Sequence, residues 1–122
     1  MTVNEAINKI DALVPNVFSF NDKLMWLSTL DGMIKENILS NYIGCDDTTR
    51  TDYTEDDGDT PLVVSAPHDT LYLYWLQAQI NYWNQDIILY QNSMDMYNTA
   101  LAEFKNYYNR KHTPKKNKFK FF

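Results

Sequence analysis

Glycine is scarce in this chain, with three residues in 122, and proline is hardly commoner at four. A chain built mainly of strands needs many tight turns, so this shortage argues against an all-β fold. Cysteine occurs once, at Cys45, which excludes an internal disulfide and points to synthesis in a reducing cytoplasm. No apolar run is long enough to cross a bilayer. The start, Met1 to Glu5, has no basic stretch leading into an apolar one, so no secretory signal is expected. Basic side chains are nearly missing from residues 1–103, which hold four of them against 16 acidic ones. From Phe104 onward the sign reverses, with seven basic residues and no acidic one. An acidic body with a basic end predicts two surfaces that meet different partners.

Signatures of chemistry are missing too. The chain has no glycine-rich phosphate loop, no paired-cysteine motif, no nucleophile elbow and no His-Glu helix motif. His68 and His112 are too isolated to suggest a metal site. His68 reads as a surface or capping residue near a helix start, and His112 as part of the basic end. The run Asp46, Asp47, Asp52, Glu55, Asp56, Asp57 and Asp59 offers hard oxygen ligands but lacks the ordered spacing of a calcium loop. It reads as a solvated acidic loop. The expectation is no catalytic residue, no metal and no cofactor, hence not an enzyme.

What the chain does have is a 44% apolar content and a 15% aromatic content, including nine tyrosines, six phenylalanines and three tryptophans. That is enough for one all-α domain with a real core. Thr2 and Glu5 form a capping-box pattern ahead of an apolar stripe, Val3, Ile7, Ile10 and Val14, which predicts a first helix over 3–13. Trp26, Leu27, Leu30, Met33, Ile34 and Ile38 predict a second helix, starting after Ser19 or Asn21 and reaching about Asn41. Gly32 inside it costs about 1 kcal/mol relative to alanine. Either the helix weakens there or another backbone packs close. Gly44 reads as the stop.

Residues 45–66 break the helical pattern and carry the acidic loop, with a turn at Asp57-Gly58. Leu62, Val63 and Val64 form a short strand or simply anchor that loop. A third helix opens at Ser65-Ala66-Pro67, with Asp69 at the positive end of its dipole. Its apolar residues fall in two stripes, so it is central or buried between subunits. Asn84-Gln85 interrupts it, a continuous kinked helix being the alternative. A fourth helix covers 86–111, roughly 40 Å at 1.5 Å per residue. Ile87, Tyr90, Met94, Tyr97, Leu101, Phe104 and Tyr108 give it a heptad seam. The aromatics Trp26, Trp75, Tyr82, Trp83, Tyr90, Tyr97 and Phe104 exceed what a small core needs, and serve core or subunit packing.

The helical domain therefore spans 1–112, followed by a basic aromatic tail, 113–122. The tail holds Lys115, Lys116, Lys118 and Lys120, with Phe119, Phe121 and Phe122 interleaved at its end. Lysines contact phosphates and phenylalanines stack on bases, but the acidic body repels a duplex. Docking on another protein suits the pattern better, and a disordered solubilising end is the remaining reading.

The stretches Thr2-Val3-Asn4-Glu5-Ala6-Ile7 and Lys23 through Gly32 resemble small proteins encoded beside the major capsid gene in prophages of low-GC Gram-positive bacteria. So do Ala66-Pro67-His68-Asp69, Leu71 through Leu76, and Asn92 through Arg110. The resemblance covers most of residues 1–112 and is to the head–tail connector, or adaptor, family of tailed bacteriophages. It implies a few antiparallel helices with an inserted loop, and a structural virion protein with no catalytic residues. It further implies a homo-oligomeric ring, twelve-fold in the family, in the neck beneath the portal protein. A stopper or other tail-side neck protein lies on its other face. Double-stranded DNA passes through without specific binding, past the acidic loop. The tail is expected to dock on the portal. The alternatives are another neck or tail-completion protein, or a small helical DNA-binding or regulatory protein.

Overall fold

The computed structural model describes residues 1–42 and 52–112. They are mostly helical, and no strand is present among them. The first helix, α1, spans Val3–Leu13 as its apolar stripe predicts. Its capping box forms: the Glu5 amide donates to Thr2 Oγ1 at 3.2 Å, and the Thr2 amide to Glu5 Oε1 at 2.8 Å.

The second helix, α2, spans Phe20–Asn37 and opens with another such box between Ser19 and Asp22. It stops short of Asn41, and the chain tightens into a 3-10 turn at Leu39–Asn41. The helix runs unbroken through Gly32, and a side chain there would meet nothing within 4 Å. Among the described residues no backbone packs close to Gly32. Between α1 and α2, Lys23 is buried and donates to Asp11 Oδ1 at 2.5 Å and to the Phe18 carbonyl at 3.0 Å.

The described residues resume at Asp52. A 3-10 turn, Glu55–Asp57, is capped by Thr54. The next residues run antiparallel to the start of the chain, with one bridge between Thr2 and Pro61. Asn4 donates to the Gly58 carbonyl at 2.9 Å, and Val3 to that of Thr60 at 3.1 Å. Leu62 and Val64 are buried without forming a strand, so they anchor the loop.

The third helix begins later than its proline suggests. The Ala66-Pro67 bond is cis, residues His68–Thr70 form a 3-10 turn, and α3 spans Leu71–Trp83. It packs on α1, α2 and, most extensively, the last helix. Leu71, Tyr72, Leu76, Ala78 and Ile80 are all buried, which accounts for its two apolar stripes. Asn84-Gln85 is a true interruption, with Gln85 at φ 62°. The fourth helix, α4, spans Ile87–Lys111 behind an Asp86 cap. Its seam is buried at Tyr97 and Phe104 and half-buried at Met94, Leu101 and Tyr108, but its first turn is exposed.

Candidate functional site

Three features of the described residues go beyond ordinary core packing. The first is a buried carboxylate. Asp31 lies on the inner face of α2 with no exposed surface. Tyr53 donates its hydroxyl to Oδ2 at 2.5 Å, the Val63 amide to the same oxygen at 3.2 Å, and Tyr72 to Oδ1 at 2.6 Å. The Val64 amide donates in turn to the Tyr72 hydroxyl at 2.8 Å. Removal from water is the main cause that raises the Asp31 pKa, against the lowering effect of these donors. Burial first, and then the Asp31 charge, hold the Tyr53 and Tyr72 hydroxyls far above the ordinary tyrosine value. Both tyrosines therefore remain protonated donors at any physiological pH. Each carboxylate oxygen already accepts a hydrogen bond, so the cluster acts as a tie. It fixes Tyr53 and the Val63-Val64 segment, on either side of the acidic turn, to α2 and α3.

The second feature is a groove of about 930 Å³ between the outer face of α2 and residues 52–56. Asn21, Met25, Ser28, Gly32 and Glu36 recur along that face at helical spacing. Met25 and Met33 are both exposed in it. The opposite wall carries Asp52, Glu55 and Asp56, and among the described residues no basic side chain lines the groove. The missing side chain of Gly32 leaves the floor open.

The third feature is an apolar surface around the α3–α4 turn. Trp83 is 58% exposed and Ile88 72%, and Tyr82, Ile87 and Leu89 are exposed beside them. The Tyr82 ring packs 5.2 Å from that of Trp83 and 5.4 Å from that of Tyr90. Trp83 also closes a cleft of about 310 Å³ with Phe18, Met25 and Trp26. This surface therefore continues toward the groove through Met25.

The residues singled out from sequence divide between these features. Trp26, Tyr97 and Phe104 are core, and the half-buried Trp75 donates its indole N–H to the Trp26 carbonyl at 3.0 Å. Burial pushes the Tyr97 hydroxyl up to about 12. Tyr82 and Trp83 lie outside the core, with Tyr90 half-buried beside them. Asp52, Glu55, Asp56 and Asp59 are on the surface, whereas Asp57 is half-buried and accepts from the Thr54 amide at 2.8 Å and hydroxyl at 3.0 Å. Asp46 and Asp47 lie outside the described residues. So do Lys115, Lys116, Lys118, Phe119, Lys120, Phe121 and Phe122. Asp69 does not start an α-helix; its Oδ2 sits 3.4 Å from the Met1 nitrogen. His68 is not a plain surface residue, since its ring packs 4.7 Å from Tyr107 and 6.1 Å from Phe104. His112 stacks on Tyr108 at 3.8 Å.

Among the described residues no group of three His, Cys, Asp or Glu side chains is placed to hold a metal ion. None of the described helices is long and apolar enough to cross a membrane. Compared with protein-family models, curated proteins and solved structures, the chain finds no match in any of the three.

Proposed function

We propose that this chain is a structural subunit of the head–tail connector ring of a tailed bacteriophage, its four helices forming an antiparallel bundle. The observation that carries the reading is the exposed apolar surface at the α3–α4 turn. Two aromatic and three aliphatic side chains face solvent there, within a stretch whose single charge is Asp86. Patches of this kind mark association surfaces, and aromatic residues are the usual anchors within them. A patch at one end of the molecule meets a different face of the next copy, and head-to-tail contacts of that type close into rings.

In such a ring the acidic turn 52–59 faces the DNA channel, where carboxylates repel phosphates and let a duplex pass. The portal protein lies above and a stopper or tail-side neck protein below, and the virion neck is the site of action. The resemblance in helices α1 to α4 supports this assignment, and the acidic body supports a weakly adhesive channel wall.

Mass photometry of the chain alone, and of the chain mixed with a phage portal ring, tests the proposal. Ring-sized species are expected, and the paired substitution Trp83→Lys with Ile88→Lys should abolish them while leaving the helical circular-dichroism spectrum intact. Both side chains are exposed, so the substitutions leave the core alone. A wild-type chain that stays monomeric under both conditions sinks the reading.

A further inference from the structure

We infer that the groove on the outer face of α2 is the resting place of the chain's own tail, residues 113–122. The chemistry of the two matches. The groove combines two exposed methionines, Met25 and Met33, with an open floor at Gly32. Its rim carries Glu36, Glu55 and Asp56, with no basic residue among the described ones that line it. The tail combines Phe119, Phe121 and Phe122 with four lysines and has no acidic residue. Methionine is flexible and polarisable, and its sulfur makes favourable contacts with aromatic rings. In an extended peptide Lys118 and Lys120 project to one side and Phe119 and Phe121 to the other. The rings then enter between the methionines while the ammonium groups meet the carboxylate rim.

The reach is sufficient. The helix α4 ends beside the end of α2, where the His112 ring packs 6.2 Å from that of Tyr42. From Tyr42 the chain itself returns to the groove wall at Asp52 across residues 43–51. The tail starts at the same place and has one residue more. Extended, it spans roughly 33 Å at about 3.3 Å per residue. Because the tail is tethered, its effective concentration at the groove is in the millimolar range, so even a weak contact is populated within one chain. Docking in this way keeps three phenylalanines out of water until another protein competes for them.

The test is a spectrum of the full chain labelled with carbon-13 at the methionine methyls. Aromatic rings lying against Met25 and Met33 shift their methyl signals upfield. Phe119→Ala, Phe121→Ala and Phe122→Ala together should move both signals downfield. Glu55→Lys with Asp56→Lys should do the same, since both side chains are on the surface and neither is the Asp57 cap. All of these spectra should be unchanged on hundredfold dilution. Methyl signals that ignore the triple phenylalanine substitution overturn the proposal. Signals that move on dilution overturn it as well, because the tail then occupies another copy. None of these readouts requires ring assembly, so the result stands apart from the connector reading.

Discussion

At the scale of single residues, Asp31 decides most. It is the one acidic side chain among the described residues with no exposed surface, and it joins three parts of the chain. Asp31→Ala would leave two tyrosine hydroxyls and the Val63 amide without their acceptor. Each unsatisfied buried donor costs about 1–3 kcal/mol, and relaxation lets some of them find water. A loss near 4 kcal/mol in urea unfolding is expected, which is a large share of the stability of a small domain. The pH dependence follows from the raised pKa. Below the ordinary carboxylate value Asp31 is protonated in both folded and unfolded states, and the folded state carries no burial penalty. As pH rises through the raised folded value, the folded state must hold a buried charge and this contribution to stability is lost. Asp31→Asn lacks the titration. The stability difference between wild type and Asp31→Asn should therefore shift against wild type as pH rises from the ordinary carboxylate value upward. Parallel unfolding curves at every pH would show that Asp31 keeps an ordinary titration.

Elements were legible in the sequence where their signals are local. Helix α1 and its capping box come directly from residues 2–14, and α4 from a seam that repeats within one helix. The late start of α3 was not legible, because Pro67 fits a helical first turn unless its bond is cis. The Asp31 tie was not legible either. Its hydroxyl partners are 22 and 41 residues away, and nothing local distinguishes a buried aspartate from a solvated one. The groove was half visible: Gly32 stood out as costly, but a cavity needs a second wall, and residues 52–56 supply it only after folding. The α3–α4 turn is the element with the clearest local misfit. The Asp86 amide donates to the Asn81 carbonyl and the Gln85 amide to that of Tyr82, both at 3.0 Å. This is a helix-ending motif that favours glycine at its left-handed position, here occupied by Gln85. Gln85→Gly should stabilise the chain by about 0.5–1 kcal/mol. A fall in thermal stability would mean that the glutamine side chain holds the turn in a way its backbone does not reveal.

At the scale of the whole molecule, the question is how strongly the α3–α4 surface drives association. Its five side chains are each about half exposed, so covering them contributes roughly 1 kcal/mol apiece, about 5 kcal/mol in all. Association costs about 4–15 kcal/mol in lost freedom. The patch alone therefore gives a weak pair, and stable rings require further contacts, closure or a template. A ring closed by such further contacts leaves a signature, since whatever binds only the folded state stabilises it by mass action. For a domain of this length 1 kcal/mol corresponds to a few degrees in Tm. Where those further contacts bring dissociation into the micromolar range, a hundredfold rise in concentration above it adds up to about 2.7 kcal/mol, so the Tm should rise by at least about 5 °C, measured by scanning fluorimetry from micromolar to submillimolar chain. The same series on Trp83→Lys with Ile88→Lys should be flat. This comparison separates association through the patch from association through the tail, because the paired substitution alters neither residues 113–122 nor the acidic wall of the groove. A concentration dependence that survives in the substituted chain would move the subunit contact away from the α3–α4 turn, and a wild-type Tm independent of concentration would remove the patch as a self-association surface.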